Sequence, residues 1–129
     1  MRKALVLGIA GLLLIGLGSC FPRYGWPKNV KFPRSGGVKE ITGETDVYWF
    51  EIRNWNGDKI VSAQSIYIDG EIKEWPDSLI ATYEWLTVKA AYNDNKLTLI
   101  ADPENRNNHH LIIGIADGNS EIEVIVKME

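Results

Sequence analysis

Residues able to do chemistry are few in this chain and unevenly placed. Cys20 is the only thiol, and it closes an uncharged apolar run, Ala4 to Gly18, that follows a basic Met1-Arg2-Lys3 start. The imidazoles are His109 and His110. Being adjacent, they point to opposite faces of a strand, which is poor geometry for a shared metal. Asp102, Glu104 and Asn105 supply oxygen ligands within one loop, but their spacing is not that of a calcium loop. As a pair of acids they lack the cleft-forming surroundings a glycosidase needs. The expectation is a chain with no catalytic residue, no cofactor and no metal site. What remains is aromatic: Trp55 in Asn54-Trp55-Asn56-Gly57-Asp58, Trp75 beside Pro76-Asp77, and Tyr92 beside Asn93-Asp94. A ring set in a polar, turn-like segment can stack on the apolar face of a pyranose, while neighbouring amides and carboxylates bond its hydroxyls. Packing of the same rings over the edge of the core is the alternative for each.

The elements that position these residues begin with the leader. A basic start, an apolar run and the small residues before Cys20 form the three-part layout of an export signal. The run falls short of the ~20 residues a spanning helix needs, and Pro22 and a polar stretch follow at once. Leu17-Gly18-Ser19-Cys20 resembles the bacterial lipobox. That resemblance implies removal of residues 1–19, lipid on the Cys20 sulfur and amino group, and a mature protein tethered to a membrane. Position 21 is Phe rather than Asp, so the resemblance implies the outer membrane, in its periplasmic leaflet or at the cell surface.

With the one thiol at position 20, no internal disulfide staples the fold, and stability must come from burial. The 110 residues from Cys20 onward suffice for one modest domain. The expected division is a signal at 1–19, a lipidated tether at 20–29 and a domain at 30–129. Only Arg2 and Lys3 among the charged residues leave with the signal, so 12 basic side chains face 17 acidic ones, a net charge of −5. Such a balance, spread in both signs, argues against a nucleic-acid partner and against general attraction to anionic lipid. Within the tether, Phe21, Tyr24 and Trp26 suit the headgroup level of a bilayer. Trp26 suits packing on the domain equally well.

From Val30 onward the pattern is that of strands. Ile66, Ile68, Gly70 and Ile72 alternate with Tyr67, Asp69, Glu71 and Lys73, as do Leu97, Leu99 and Ala101 with Lys96, Thr98 and Ile100, and Ile122, Val124 and Val126 with Glu121, Glu123, Ile125 and Lys127. This is the two-residue period of a strand with one buried face. Leu111 to Ala116 is a short apolar run suited to a strand covered on both faces. Pro76 to Tyr83 is compatible with either a helix or a loop. In Tyr48-Trp49-Phe50, a strand sends Trp49 to one face and its neighbours to the other, so at least one ring packs inside. Gly36-Gly37, Asn56-Gly57-Asp58, Asp69-Gly70, Asn93-Asp94-Asn95 and Asp117-Gly118-Asn119-Ser120 supply turns between the runs. The last joins a hairpin from Leu111 to Lys127. The expected fold is all-β, an immunoglobulin-like sandwich of two antiparallel sheets with about seven or eight strands.

Trp85-Leu86-Thr87-Val88, Lys96 to Ala101, Asn105, Leu111 to Ile115 and the strand Glu121 to Lys127 together resemble the BACON domain, an immunoglobulin-like sandwich common in Bacteroidetes. Val30-Lys31-Phe32-Pro33 with Gly36-Gly37 looks like that family's opening strand and glycine turn. His109 and Lys127-Met128 stand where the family usually carries Arg and Gln. The resemblance implies a core role for Trp85 and a carbohydrate-related or spacer function. Two functional expectations follow: an interaction or spacer lipoprotein that docks another envelope protein, and a carbohydrate- or mucin-binding accessory protein using Trp55, Trp75 and Tyr92.

Overall fold

The computed structural model describes residues 23–68, 70, 74–103, 109–118 and 121–129. Cys20, Ile72, Glu104, Asn105 and the Asn119-Ser120 part of the last turn lie outside the described residues. The described residues form ten strands: β1 Asn29–Phe32, β2 Gly37–Val47, β3 Trp49–Asn54, β4 Ile60–Ser62, β5 Gln64–Ile66, β6 Ser78–Tyr83, β7 Leu86–Ala91, β8 Asp94–Ala101, β9 His110–Ala116 and β10 Glu121–Met128. They form two five-stranded sheets, in the orders β1-β10-β9-β3-β4 and β2-β8-β7-β6-β5. The architecture is a β-sandwich. It departs from the expectation in having ten strands rather than seven or eight, and in the parallel pairing of β1 with β10, Asn29 opposite Ile125 through Phe32 opposite Met128.

Alternation becomes burial wherever a strand faces the opposite sheet. Leu97, Leu99 and Ala101 of β8 point inward, as do Ile122, Val124 and Val126 of β10 and Leu111, Ile113 and Ile115 of β9. Each fully buried Leu or Ile contributes about 1.5–3 kcal/mol by leaving water. Strand β9 is covered on its outer side too, in part by the Arg53 guanidinium lying over Gly114, where a β-carbon would collide with it. Trp85 lies in the β6–β7 turn after Glu84, whose φ is 53°, and is 1% exposed, its ring meeting Phe32 edge-on at 6.5 Å. Pro76 to Tyr83 forms no helix: Ser78–Tyr83 is strand β6, with Leu79 and Ala81 buried.

Two of the extra strands arise because the chain changes sheets in mid-run. β4 pairs with β3, the chain turns at buried Ala63, whose N–H donates to Phe50 O, and β5 then pairs with β6 in the other sheet. This corrects the reading of Ile66 and Ile68 as a buried face. Strand β5 is an outer strand that ends at Ile66, leaving the two side chains 39% and 77% exposed. A one-residue crossing between sheets also occurs earlier in the chain, at Tyr48 between β2 and β3.

Of the two roles open to Trp26, the structure shows packing on the domain. The indole is buried, its N–H donates to Thr45 Oγ1 at 3.1 Å, and it covers Gly43 so closely that a β-carbon there would overlap the ring. Arg23 donates to the carbonyls of Trp26, Pro27 and Glu123, and Glu44 N donates to Tyr24 O. The chain therefore joins the sandwich near the start of β10 and the end of β2. That end, called proximal below, also holds Tyr48, the β7–β8 turn, the β9–β10 turn and the β5–β6 connection. The distal end holds the β3–β4, β6–β7 and β8–β9 connections.

Candidate functional site

Three rings meet at the proximal end, brought there by three separate connections. Tyr92 opens the β7–β8 turn, which is fixed by Asn93 at φ 61° and by the Asn93 N–H donating to Val47 O. Tyr92 N donates to Asp77 O, Asp77 N donates to Ile66 O, and the Asp77 carboxylate accepts from Ile68 N at 2.7 Å. Asp77 thus pins the β5–β6 connection against the β7–β8 turn and lays Trp75 on Tyr92. The two rings stack at 5.6 Å between centroids with 14° between planes. On the other side Tyr48 meets Tyr92 edge-on at 6.0 Å and 62°. Gly118, at φ 97°, passes under the Tyr48 ring, where an added β-carbon would come within 3.2 Å. Both geometries are favourable for aromatic pairs. Tyr92 is half-buried between the other two, while Trp75 and Tyr48 remain 60% and 40% exposed.

Trp55 does not join them. It sits at the distal end in the β3–β4 turn, where Asn54 Nδ2 donates to Asp58 Oδ1 and Lys59 N donates to Asn54 Oδ1. Its exposed ring meets His110 at 5.2 Å and a 52° tilt. The structure therefore brings together two of the three rings expected as sugar contacts, separates the third, and adds Tyr48. One signal for Tyr48 lies in the sequence: inward positions spaced by two end at Val47 and resume at Phe50, a break of phase at Tyr48-Trp49.

A second surface lies on the outer face of the β2-β8-β7-β6-β5 sheet. A shallow hollow of about 440 Å³ runs across β5 to β8, floored by Ser78 and Ala91, with Ile66 and Ile80 on one side and Lys89 and Lys96 on the other. Small outward side chains beside long ones make the depression.

The outer face of the other sheet is a closed ion cluster. The largely covered Arg53 guanidinium contacts Glu51, Glu121 and Glu123 at 3.0, 3.4 and 2.9 Å. Its Nε approaches Glu51 without the angle of a hydrogen bond, so that contact is ionic rather than directional. Elsewhere the Tyr83 phenol is raised above its usual pKa, first by lost hydration and then by the Glu84 carboxylate, and it stays protonated at neutral pH. Among the described residues no group of three or more His, Cys, Asp or Glu side chains is arranged to hold a metal ion. His109 turns its Nδ1 to Met128 O at 3.3 Å, and His110 turns to Trp55.

Comparison with protein-family models, with curated proteins and with solved structures returned no match for this chain, so geometry carries the functional argument.

Proposed function

We propose that this protein is a small, non-catalytic lipoprotein of the cell envelope that docks another envelope protein through the outer face of its β2-β8-β7-β6-β5 sheet. The observation carrying the reading is the hollow floored by Ser78 and Ala91, where Ile66 and Ile80 offer apolar contact beside the cations of Lys89 and Lys96. Apolar side chains set among Lys89, Lys96 and Asp94 give the mixed composition of an ordinary non-obligate protein interface. Cys20 supplies the lipid, and the outer membrane, in its periplasmic leaflet or at the surface, is the place. The BACON-like immunoglobulin type is the sandwich class we assign, supported by Trp85-Leu86-Thr87-Val88 running from a buried turn tryptophan into β7.

A photo-crosslinking residue at position 80 is expected to capture one envelope protein in intact cells, while the same group at exposed Val38, near the distal end of that sheet, captures none. Ile80→Asp should abolish co-purification of that protein. Equal capture at both positions, or co-purification unchanged by Ile80→Asp, contradicts the docking face.

One observation favours a carbohydrate- or mucin-binding reading instead: the Trp75 ring, stacked on Tyr92 at 14° and 60% exposed. Saturable glycan-array binding that is lost with Trp75→Ala would establish it.

A further inference from the structure

Large apolar side chains are not scattered evenly over the surface. Nine are exposed among the described residues. Tyr24, Tyr48, Trp49, Ile66, Ile68 and Trp75 lie toward the proximal end, and Val38, Trp55 and Ile60 toward the distal one. We propose that the proximal end of the sandwich rests in the headgroup layer of an electrically neutral bilayer, with Trp75 and Tyr48 inserted as interfacial rings and the distal end pointing away from the membrane.

The occupant follows from the length of chain outside the domain and from where it arrives. Arg23 is fixed at this end by its bonds to the Trp26, Pro27 and Glu123 carbonyls. Cys20 precedes it by three residues, a reach of at most about 10 Å when fully extended. The headgroup region on each side of a bilayer is itself roughly 5–8 Å deep. Lipid on Cys20, a premise this inference takes from the proposed function, leaves Arg23 within a few ångströms of the bilayer surface. The domain cannot stand away from it.

Residue types fit that position. Trp and Tyr favour the headgroup level because an apolar ring carries a polar N–H or O–H. The stack of Trp75 on Tyr92 holds the outermost ring in place, so little side-chain freedom is lost on contact. Charge selects the kind of surface. Glu44, Asp46, Glu74, Asp94 and Glu121 flank the proximal end and outnumber the cations near it, Arg23, Lys28 and Lys96, with Glu121 also meeting Arg53. An anionic leaflet carries a negative surface potential that would repel this rim. Neutral, zwitterionic headgroups would not.

The test uses the lipidated full-length protein reconstituted in phosphatidylcholine vesicles whose acyl chains are brominated near the headgroup. Bromine dims tryptophan emission only at close range. Trp75→Phe is expected to remove the larger share of the dimming, and Trp55→Phe to leave it unchanged, because β3 places Trp55 some 20 Å away along six residues of strand. Ile68→Asp, which changes a side chain that is 77% exposed, should also reduce the dimming. Mixing phosphatidylglycerol into the vesicles should lower it further. No dimming, equal loss from Trp75→Phe and Trp55→Phe, or stronger dimming with phosphatidylglycerol overturns the proposal. So does saccharide binding by the vesicle-attached protein that needs Trp75. Palmitate-analogue labelling of Cys20→Ser in cells separates the premise: label that persists in this variant removes the anchor and the orientation together, whereas lost label with no dimming removes the orientation alone.

Discussion

At the two ends of this sandwich the same kind of sequence signal has different outcomes. Trp55 and Trp75 are both tryptophans in short polar stretches. Trp55 belongs to a hairpin turn closed on itself by Asn54, Asp58 and Lys59, and its ring contact is with His110. Trp75 belongs to a longer connection that Asp77 ties to a neighbouring turn, so its ring lands on Tyr92 and, through it, on Tyr48. A ring in a turn becomes part of a surface only where connections from different strands converge. Backbone bonds between loops decide this, rather than the composition of the loop itself.

Each end is also closed by a buried tryptophan, and these give the largest expected effects. Trp85→Ala at the distal end should cost about 3–5 kcal/mol, a large part of the stability of a small domain without a disulfide. Trp26→Ala at the proximal end should cost about 3 kcal/mol, since its indole is equally buried and also bonds Thr45. Urea unfolding of both variants checks the ranking. A Trp26 variant as stable as the parent would mean that the N-terminal segment is not part of the cooperative unit.

Gly43→Ala sharpens the same point with a smaller change. The added methyl would overlap the Trp26 ring, and overpacking of this kind typically costs about 1–3 kcal/mol. Thermal unfolding should show the loss. In the Trp26→Ala background, Gly43→Ala should cost little further, since the colliding ring is gone.

The smallest effects separate the two exposed tryptophans. Singly, Trp55→Ala and Trp75→Ala should each shift stability by no more than about 0.5 kcal/mol, as surface changes do. A double-mutant cycle of Trp75 with Tyr92 should assign nearly all of the Trp75 effect to the pair, a coupling of about 0.5 kcal/mol, the lower end for stacked rings. The cycle of Trp55 with His110 should give less, because that contact is tilted. Equal couplings would erase the distinction between the ends.

How much of this was legible in the sequence depends on what each residue faces. Strands β8, β9 and β10 were readable because their alternating side chains meet an opposite sheet along their whole length. Ile66 and Ile68 show the same alternation without burial, since the chain has just crossed sheets at Ala63 and leaves the edge at Ile66. Periodicity says which residues share a side and not whether anything covers it. Strand β6 was obscured by Trp75-Pro76-Asp77-Ser78, whose turn chemistry masked the inward Leu79 and Ala81. Trp75 and Tyr92 were recognisable as rings in polar settings, but their meeting depends on Asp77 bonding across two connections, which no local pattern records. The hollow on the outer sheet face was illegible for the same reason: Ile66, Ile80, Lys89 and Lys96 come from four strands whose order is a property of the topology.

The comparison of ends, the orientation on the bilayer and the outward-facing dock all depend on how the chain is held at its N-terminal side. Mass spectrometry of the mature protein after tryptic cleavage at Arg23 reads this directly. The expected result is a Cys20-Phe21-Pro22-Arg23 peptide carrying acyl chains on the cysteine, with no peptide from residues 1–19. An unmodified cysteine within a peptide that reads through from the leader would contradict the account.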